Sequence, residues 1–111
     1  MNDRRSFSVL ASFRLDGDTA IVTGGGKGLG RIACLALAEA GAKIAVLDLN
    51  EATVQQTVGE ISEAGGEARA WVCDVTDEGA VIETFAAIAD AFGSIDILVN
   101  NAGIARRDPT E

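Results

Sequence analysis

A glycine-rich segment between an apolar run and an alanine-rich run is the feature that most constrains the fold of this chain. Residues 23–30 read TGGGKGLG; they follow Ala20-Ile21-Val22 and precede the stretch 31–40. This order predicts a strand, a tight loop and a helix. Glycines leave the loop backbone open to an approaching anion, and the helix directs the positive end of its dipole at the same place. The segment therefore predicts a cradle for phosphate groups.

The rest of the chain alternates strands with helices. Strands are predicted at 19–23, 43–48, 67–72 and 97–100, and the first helix at 28–40. Asn50 is the predicted N-cap of the second helix and Thr76 that of the third, with Gly65-Gly66 and Gly93 as stops. Alternating strands and helices predict an α/β fold with a parallel sheet and right-handed crossovers. We expect a Rossmann-like doubly wound sheet, truncated after about four strands, in the order 3-2-1-4.

Composition sets limits on the partners. The 111 residues suggest one domain, which we divide into a flexible N-terminal tail, 1–12, and a nucleotide-binding part, 13–111. The net charge of −8 argues against a nucleic acid or an anionic membrane as partner. No apolar run reaches the roughly 20 residues that span a bilayer. Because the chain has no histidine, a histidine metal site and a serine–histidine relay are excluded.

Cysteine usage and the N-terminal residues bear on the compartment. Cys34 and Cys73 are too few for a disulfide framework, and we expect both to be buried, reduced thiols. The first 12 residues lack the continuous apolar stretch of a secretion signal, although their arginines and serines leave a mitochondrial presequence open. We therefore expect a cytoplasmic protein.

The glycines of the loop receive different predicted roles. Their spacing is Gly-x-x-x-Gly-x-Gly, which differs from the commoner Gly-x-Gly-x-x-Gly. We assign Gly24 to the tight turn, Gly28 to close approach at the phosphates and Gly30 to packing of the helix on the strand. A glycine loop alone is weak support for a ligand, because glycines mark turns everywhere. Its place between a strand and a helix is the context that a dinucleotide site requires.

Asp48 ends the second predicted strand, 18 residues after Gly30. A carboxylate there can accept hydrogen bonds from both hydroxyls of an adenosine ribose, and it would repel a 2′-phosphate. The residues after it, Leu49-Asn50, offer no arginine to receive such a phosphate. Asp48 and Leu49 therefore favour NAD over NADP. Lys27 points the other way, since its ammonium group would suit a 2′-phosphate. The alternative for Asp48 is a simple strand-end residue without a ligand.

Two further segments follow strands at the same predicted edge. Asp74-Val75 comes after the third strand, where Asp74 would accept from the adenine amine and Val75 would lie against the ring; a capping aspartate is the alternative. The run from Asn100 to Gly103 follows the fourth strand, where small residues allow the backbone to approach a ligand; an ordinary turn is the alternative. The predicted cofactor-binding residues are Gly24, Gly26, Lys27, Gly28, Leu29, Gly30, Asp48, Leu49, Asp74, Val75, Asn101, Ala102 and Gly103.

These motifs together resemble the short-chain dehydrogenase/reductase family, in its single-domain branch. The resemblance rests on the glycine loop, Asp48, Asp74-Val75 and the run from Asn100 to Gly103, and it covers residue 13 to about residue 106. It implies hydride transfer between a nicotinamide cofactor and an alcohol or carbonyl compound. The family's catalytic tyrosine and lysine, spaced Tyr-x-x-x-Lys, follow the fourth strand.

This chain departs from the family pattern in one decisive respect. It has no tyrosine, and its only lysines are Lys27 and Lys43. We therefore predict no catalytic residue and negligible activity for these 111 residues alone. Three interpretations remain open: the N-terminal portion of a dehydrogenase, a stand-alone NAD-binding or regulatory module, or an interaction protein. The fourth strand is the predicted open apolar edge, which favours marginal stability and association of copies.

Overall fold

The computed structural model describes residues 14–101 and shows seven elements in strict alternation. They are β1 (Thr19–Thr23), α1 (Gly28–Glu39), β2 (Lys43–Asp48), α2 (Glu51–Glu63), β3 (Glu67–Val72), α3 (Glu78–Phe92) and β4 (Ile97–Asn100). The four predicted strands are confirmed, and α1 ends one residue earlier than predicted. The predicted tail, 1–12, lies outside the described residues.

The four strands form one parallel sheet in the order β3-β2-β1-β4. β1 lies in the middle, where Val22 is in register with Val46 of β2 on one side and Val99 of β4 on the other. Every residue of β1 is buried, as expected of an inner parallel strand covered on both faces. The predicted fold class and strand order are confirmed.

Helices cover both faces of the sheet. On one face Cys34 of α1 and Val54 and Ile61 of α2 pack with the inner strands. On the other face Ile88 and Phe92 of α3 pack with the opposite side chains of β1 and β2. This doubly wound arrangement brings the carboxyl end of every strand to one edge of the sheet, where α/β folds bind their ligands.

One of the two predicted helix caps is correct. The side chain of Asn50 accepts from the backbone N of Thr53 at 3.2 Å and caps α2 as predicted. The prediction for α3 is wrong: Asp77 is its N-cap, and the Asp77 carboxylate accepts from Ala80 N at 3.2 Å. Thr76 instead donates its amide and hydroxyl to Asp74, which fixes it in the preceding turn. Aspartate is a better N-cap than threonine, which agrees with the start of the helix after Asp77.

Two glycines and a lysine lie at the carboxyl ends of helices, away from the carboxyl edge of the sheet. Gly41, after α1, and Gly93, after α3, have φ of 110° and 92°, a region that favours glycine. Lys43 Nζ donates to the carbonyl oxygen of Phe92 at 2.9 Å. A cation at a helix C-terminus offsets the negative end of the helix dipole. Lys43 therefore ties β2 to the last turn of α3.

Candidate functional site

The predicted site residues after β1, β2 and β3 come together at the carboxyl edge of the sheet. A cavity of about 180 Å³ lies there. Its lining residues come from the ends of all three strands and are Gly24, Asp48, Leu49, Cys73, Asp74, Val75 and Thr76. The structure thus joins the glycine loop to the two predicted acidic residues in one concave surface.

Two of the three assigned glycines have a backbone conformation that favours glycine, and the third has no room for a side chain. Gly24 and Gly28 have φ of 65° and 62°, which side-chain-bearing residues rarely adopt. A Cβ on Gly30 would overlap the carbonyl oxygen of Gly24, so only glycine allows α1 to begin this close to β1. A Cβ on Gly28 would meet nothing within 4 Å. The backbone at Gly28 therefore faces open space that a ligand can fill.

The amino end of α1 differs from those of the other two helices. Its N-cap, Lys27, makes no side-chain capping hydrogen bond, and its first turn holds no acidic residue. α2 and α3 each have a capping side chain and a glutamate in the first turn. The first N–H groups of a helix need an acceptor, and a bound anion supplies one. Within residues 14–101, α1 is the helix that starts without a capping side chain and without an acidic residue in its first turn.

Asp48 is hydrogen-bonded to the glycine loop, a contact that the sequence did not indicate. Its Oδ2 accepts from Gly26 N at 3.1 Å and its Oδ1 accepts from Leu49 N at 2.8 Å. The adjacent amide of Gly25 donates to the carbonyl of Leu47 at 2.9 Å. The end of β2 therefore holds the loop through two successive amides.

Thr57 of α2 makes a second contact to the loop, which none of the sequence motifs indicated. It is fully buried, and its hydroxyl donates to Gly25 O at 3.1 Å, with Gly26 O at 3.4 Å. The signal was present: Thr57 is a polar residue inside the apolar stripe that includes Val54 and Ile61. A polar side chain on the buried face of a helix needs a hydrogen-bond partner.

Asp74 lies in a turn at the end of β3. Its Oδ1 accepts from the hydroxyl of Thr76 at 2.6 Å and from the Thr76 amide at 2.9 Å. The hydroxyl and, after it, the backbone amide hold the pKa of Asp74 below its ordinary value. Asp74 therefore presents an ionised acceptor at the cavity while Val75, half-buried, forms part of its wall. Its adenine role stays a prediction.

The end of β4 lies against the glycine loop. Thr23 Oγ1 is 3.0 Å from Asn100 Oδ1, and the Asn101 side chain lies beside Gly30. Asn101 therefore stands next to the start of α1. Lys27 and Leu29 are exposed at the surface of the loop. The predicted residues Ala102 and Gly103 lie outside the described part of the chain.

A larger cavity, about 650 Å³, lies at the opposite, amino-terminal edge of the sheet. Its walls include Glu39 of α1 and Ala64 after α2, so the carboxyl ends of two helices border it. The negative ends of helix dipoles disfavour an anion there. The smaller cavity is therefore the better candidate for a phosphate-bearing ligand.

Two classes of site find no support in residues 14–101. No cluster of three or more cysteine or carboxylate side chains there is placed to hold a metal ion. No helix in the same range is long and apolar enough to cross a membrane.

Comparison with known proteins decides the family. The family model described as short chain dehydrogenase matches residues 18–111 of this chain. The chain belongs to the short-chain dehydrogenase family. The match includes the glycine loop, Asp48 and Asp74, which lie together in the structure.

Individual short-chain dehydrogenases cover nearly the whole chain. The D-threitol dehydrogenase of Mycolicibacterium smegmatis is 41% identical over 111 residues, which are 100% of this chain and 43% of that protein. The 7alpha-hydroxysteroid dehydrogenase of Escherichia coli K12 is 43% identical over 96 residues, 83% of this chain and 36% of that protein. The chain thus spans less than half the length of these curated relatives.

Solved structures agree. A dehydrogenase/reductase from Sinorhizobium meliloti 1021 superposes with a TM-score of 0.82 at 40% identity, covering 86% of this chain and 38% of that one. An NAD⁺-bound xylitol dehydrogenase superposes with a TM-score of 0.73 at 43% identity. The match covers 75% of this chain and 32% of the xylitol dehydrogenase chain. The described residues therefore have the fold of the amino-terminal part of short-chain dehydrogenases.

Proposed function

We propose that this chain binds the adenosine diphosphate part of NAD for a short-chain dehydrogenase that transfers hydride between NAD and an alcohol or carbonyl compound. The observation that carries the proposal is the meeting of Asp48 with the glycine loop, beside the uncapped start of α1. An acceptor for sugar hydroxyls and a set of donors for phosphates then lie side by side. Bound NAD would supply the hydride acceptor, and this chain would bind its adenosine diphosphate part.

The residues present suit this ligand. The open space beside Gly28 admits a diphosphate against the backbone, and Gly24 and Gly26, with the exposed Lys27 and Leu29, complete the loop. Asp74 and Val75 would bind the adenine, and Asn101, with Ala102 and Gly103, would approach the cofactor from β4. NAD is favoured over NADP because a 2′-phosphate would meet the Asp48 carboxylate. The NAD⁺-bound state of the xylitol dehydrogenase neighbour supports this choice.

Chemical turnover needs groups that these 111 residues do not contain. No tyrosine is present, so no tyrosinate is available as the proton-transferring group. We therefore infer that the chain alone binds NAD with negligible turnover.

Calorimetric titration tests the binding proposal. The chain should bind NAD and ADP, and NADP should bind at least about tenfold more weakly, since hydrogen bonds to a charged group are each worth about 1.5–3 kcal/mol. Equal or tighter binding of NADP would contradict the Asp48 assignment. The absence of binding by a folded chain would contradict the function itself.

An NADH-linked assay with a panel of carbonyl compounds separates the portion of an enzyme from a non-catalytic module. The chain alone should show no turnover. The same chain joined to the carboxyl-terminal part of the D-threitol dehydrogenase should oxidise or reduce a substrate if it is a dehydrogenase portion. A folded, NAD-binding hybrid without activity would favour the non-catalytic module.

We propose a cytoplasmic location, in which Cys34 and Cys73 remain reduced thiols. Cys34 packs on the face of the sheet covered by α1 and α2, whereas Cys73 packs on the face covered by α3. Side chains on opposite faces of a sheet cannot meet the geometry of a disulfide. Burial also raises the pKa of the Cys34 thiol to about 12, which keeps it protonated and unreactive.

A further inference from the structure

Thr57 has a buried hydroxyl whose role neither the fold nor the proposed ligand contacts explain. The residue is fully buried in α2, among the apolar side chains that face the sheet. Valine would fill the same space without a polar atom. A threonine hydroxyl inside a helix often bonds the carbonyl four residues back. Here it bonds outside its own helix, to Gly25 O at 3.1 Å.

The peptide unit between Gly25 and Gly26 is held at both ends. Its carbonyl oxygen accepts from Thr57, and its N–H donates to Asp48 Oδ2 at 3.1 Å. The Thr57 hydroxyl also lies 3.4 Å from the next carbonyl, that of Gly26. One side chain from α2 and one from the end of β2 thus fix a single peptide plane.

These two hydrogen bonds form a clamp on the peptide. The clamp matters because the residues that it holds are glycines. Glycine adopts positive and negative φ about equally well, so a Gly-Gly peptide can rotate at little steric cost. Rotation would exchange the positions of the Gly25 carbonyl and the Gly26 N–H. The carbonyl would then face the Asp48 carboxylate, and the N–H would face the Thr57 hydroxyl, so both hydrogen bonds to this peptide would be lost. Thr57 and Asp48 therefore fix the orientation of this peptide, and with it the course of the backbone that leads to the N–H groups of the following residues.

We propose that Thr57 is a positioning residue for the diphosphate: it holds the carbonyls of Gly25 and Gly26 toward α2, so that the following N–H groups are left for the ligand. The proposal rests on the proposed function, because it assumes that the loop binds a diphosphate. Asp48 holds the opposite end of the same peptide and would in addition contact the ribose. Thr57 would contact no part of the ligand.

Thr57→Val tests the clamp, with Thr57→Ser as the variant that keeps the hydroxyl. In calorimetric titrations Thr57→Val should weaken ADP and NAD binding about tenfold, the effect expected for one lost hydrogen bond. The affinity of Thr57→Val for adenosine, which lacks phosphates, should stay within about twofold of that of the unsubstituted chain. Thr57→Ser should restore ADP binding. Thr84→Val, at a half-buried position of α3, is the matched control and should leave the binding of all three ligands unchanged.

A merely structural Thr57 would give another result. Thr57→Val would then lower the urea midpoint but weaken adenosine and ADP equally, or neither, and this pattern would overturn the proposal. If Thr57→Val does not fold, Thr57→Cys replaces it; its thiol is a weak donor, and a selective loss for ADP of about threefold is expected.

A measurement without ligand separates this inference from the proposed function. In the free chain, the amides of Gly26, Lys27 and Gly28 should exchange with solvent at least about fivefold faster in Thr57→Val than in Thr57→Ser. If the unsubstituted chain binds neither ADP nor NAD, the proposed function is overturned, and exchange alone judges the clamp. Unchanged exchange overturns the clamp, and faster exchange confined to the loop supports it.

Discussion

Asp48 Oδ2 lies 3.1 Å from the backbone nitrogen of Gly26, so the carboxylate that ends β2 is bound to the loop that follows β1. A carboxylate has about four acceptor sites, and the amides of Gly26 and Leu49 use two of them. Two sites remain for the hydroxyl pair of a ribose. One side chain thus holds the glycine loop and, in the function we propose, would also accept from the ribose hydroxyls.

Asp48→Asn should narrow the preference for NAD over NADP. The asparagine oxygen can still accept from Gly26, so the loop is kept while the charge that repels a 2′-phosphate is removed. We expect NAD binding to weaken by about 1.5–3 kcal/mol and NADP binding to weaken less or to improve. Titration calorimetry with both ligands measures this. Glu63→Gln, which removes a charge from the far end of α2, is the control; an unchanged preference in Asp48→Asn would refute the role of the charge.

Gly30→Ala should be incompatible with the close start of α1. The added Cβ would overlap the carbonyl oxygen of Gly24, so the helix must shift, at a cost of roughly 1–3 kcal/mol in the free energy of unfolding. Urea unfolding measures this cost. Gly59→Ala is the matched control, since its Cβ would meet nothing within 4 Å on α2. That variant should gain about 0.5–1 kcal/mol from better helix propensity, and equal effects of the two substitutions would contradict the packing argument.

The ion pair between Arg31 and Glu60 should make stability depend on acid pH. Arg31 Nε and one terminal nitrogen lie 2.8 and 2.9 Å from the two Glu60 oxygens, joining α1 to α2. The hydrogen bond from Arg31 holds the pKa of Glu60 below its ordinary value of 4.5. A lowered folded-state pKa gives stability that is present above pH 4.5 and is lost as the pH falls through the folded-state value.

Unfolding of the Glu60→Gln variant tests this pH dependence. Its free energy of unfolding should be lower than that of the unsubstituted chain near pH 7, and the gap should close as the pH falls below 4.5. Adding Arg31→Gln should cost little more, because the pair is already broken. A gap that stays constant from pH 7 down to pH 2 would show that the pair does not set the pKa.

The β4 edge should promote association of copies. Leu98 is 53% exposed on a strand whose outer edge is unpaired in the described residues. An exposed apolar edge strand is a template for pairing with another chain, and a charge on it opposes pairing. Leu98→Lys should therefore reduce concentration-dependent association in analytical ultracentrifugation. Glu83→Gln, at an exposed site on α3, raises the net charge by the same single unit elsewhere, and an equal effect of both would attribute association to net charge.

The sequence predicted most of the fold because its signals are local. Strands β1, β2 and β4 are apolar runs, unlike β3, which reads EARAWV, and a glycine follows each of the three helices and marks where it ends. The cap of α3 was missed because Thr76 and Asp77 are adjacent and both residue types cap helices. The choice depends on Thr76 bonding to Asp74.

The missed parts of the site are contacts between distant segments. Thr57 lies 32 residues from Gly25, and Asp48 lies 22 residues from Gly26. A periodic apolar stripe shows which face of α2 is buried, but it does not show what a polar residue on that face will meet. Both contacts arise only when β2 and α2 pack beside the glycine loop.

The most direct test of the central claim is a map of amide chemical shifts as ADP is added to the ¹⁵N-labelled chain. Ligand-dependent shifts should concentrate at 24–30, 48–49 and 74–75, the three segments that meet at the carboxyl edge of the sheet. Shifts concentrated instead around Gly41 and Gly65, at the opposite cavity, or no shifts in a folded chain, would contradict the account.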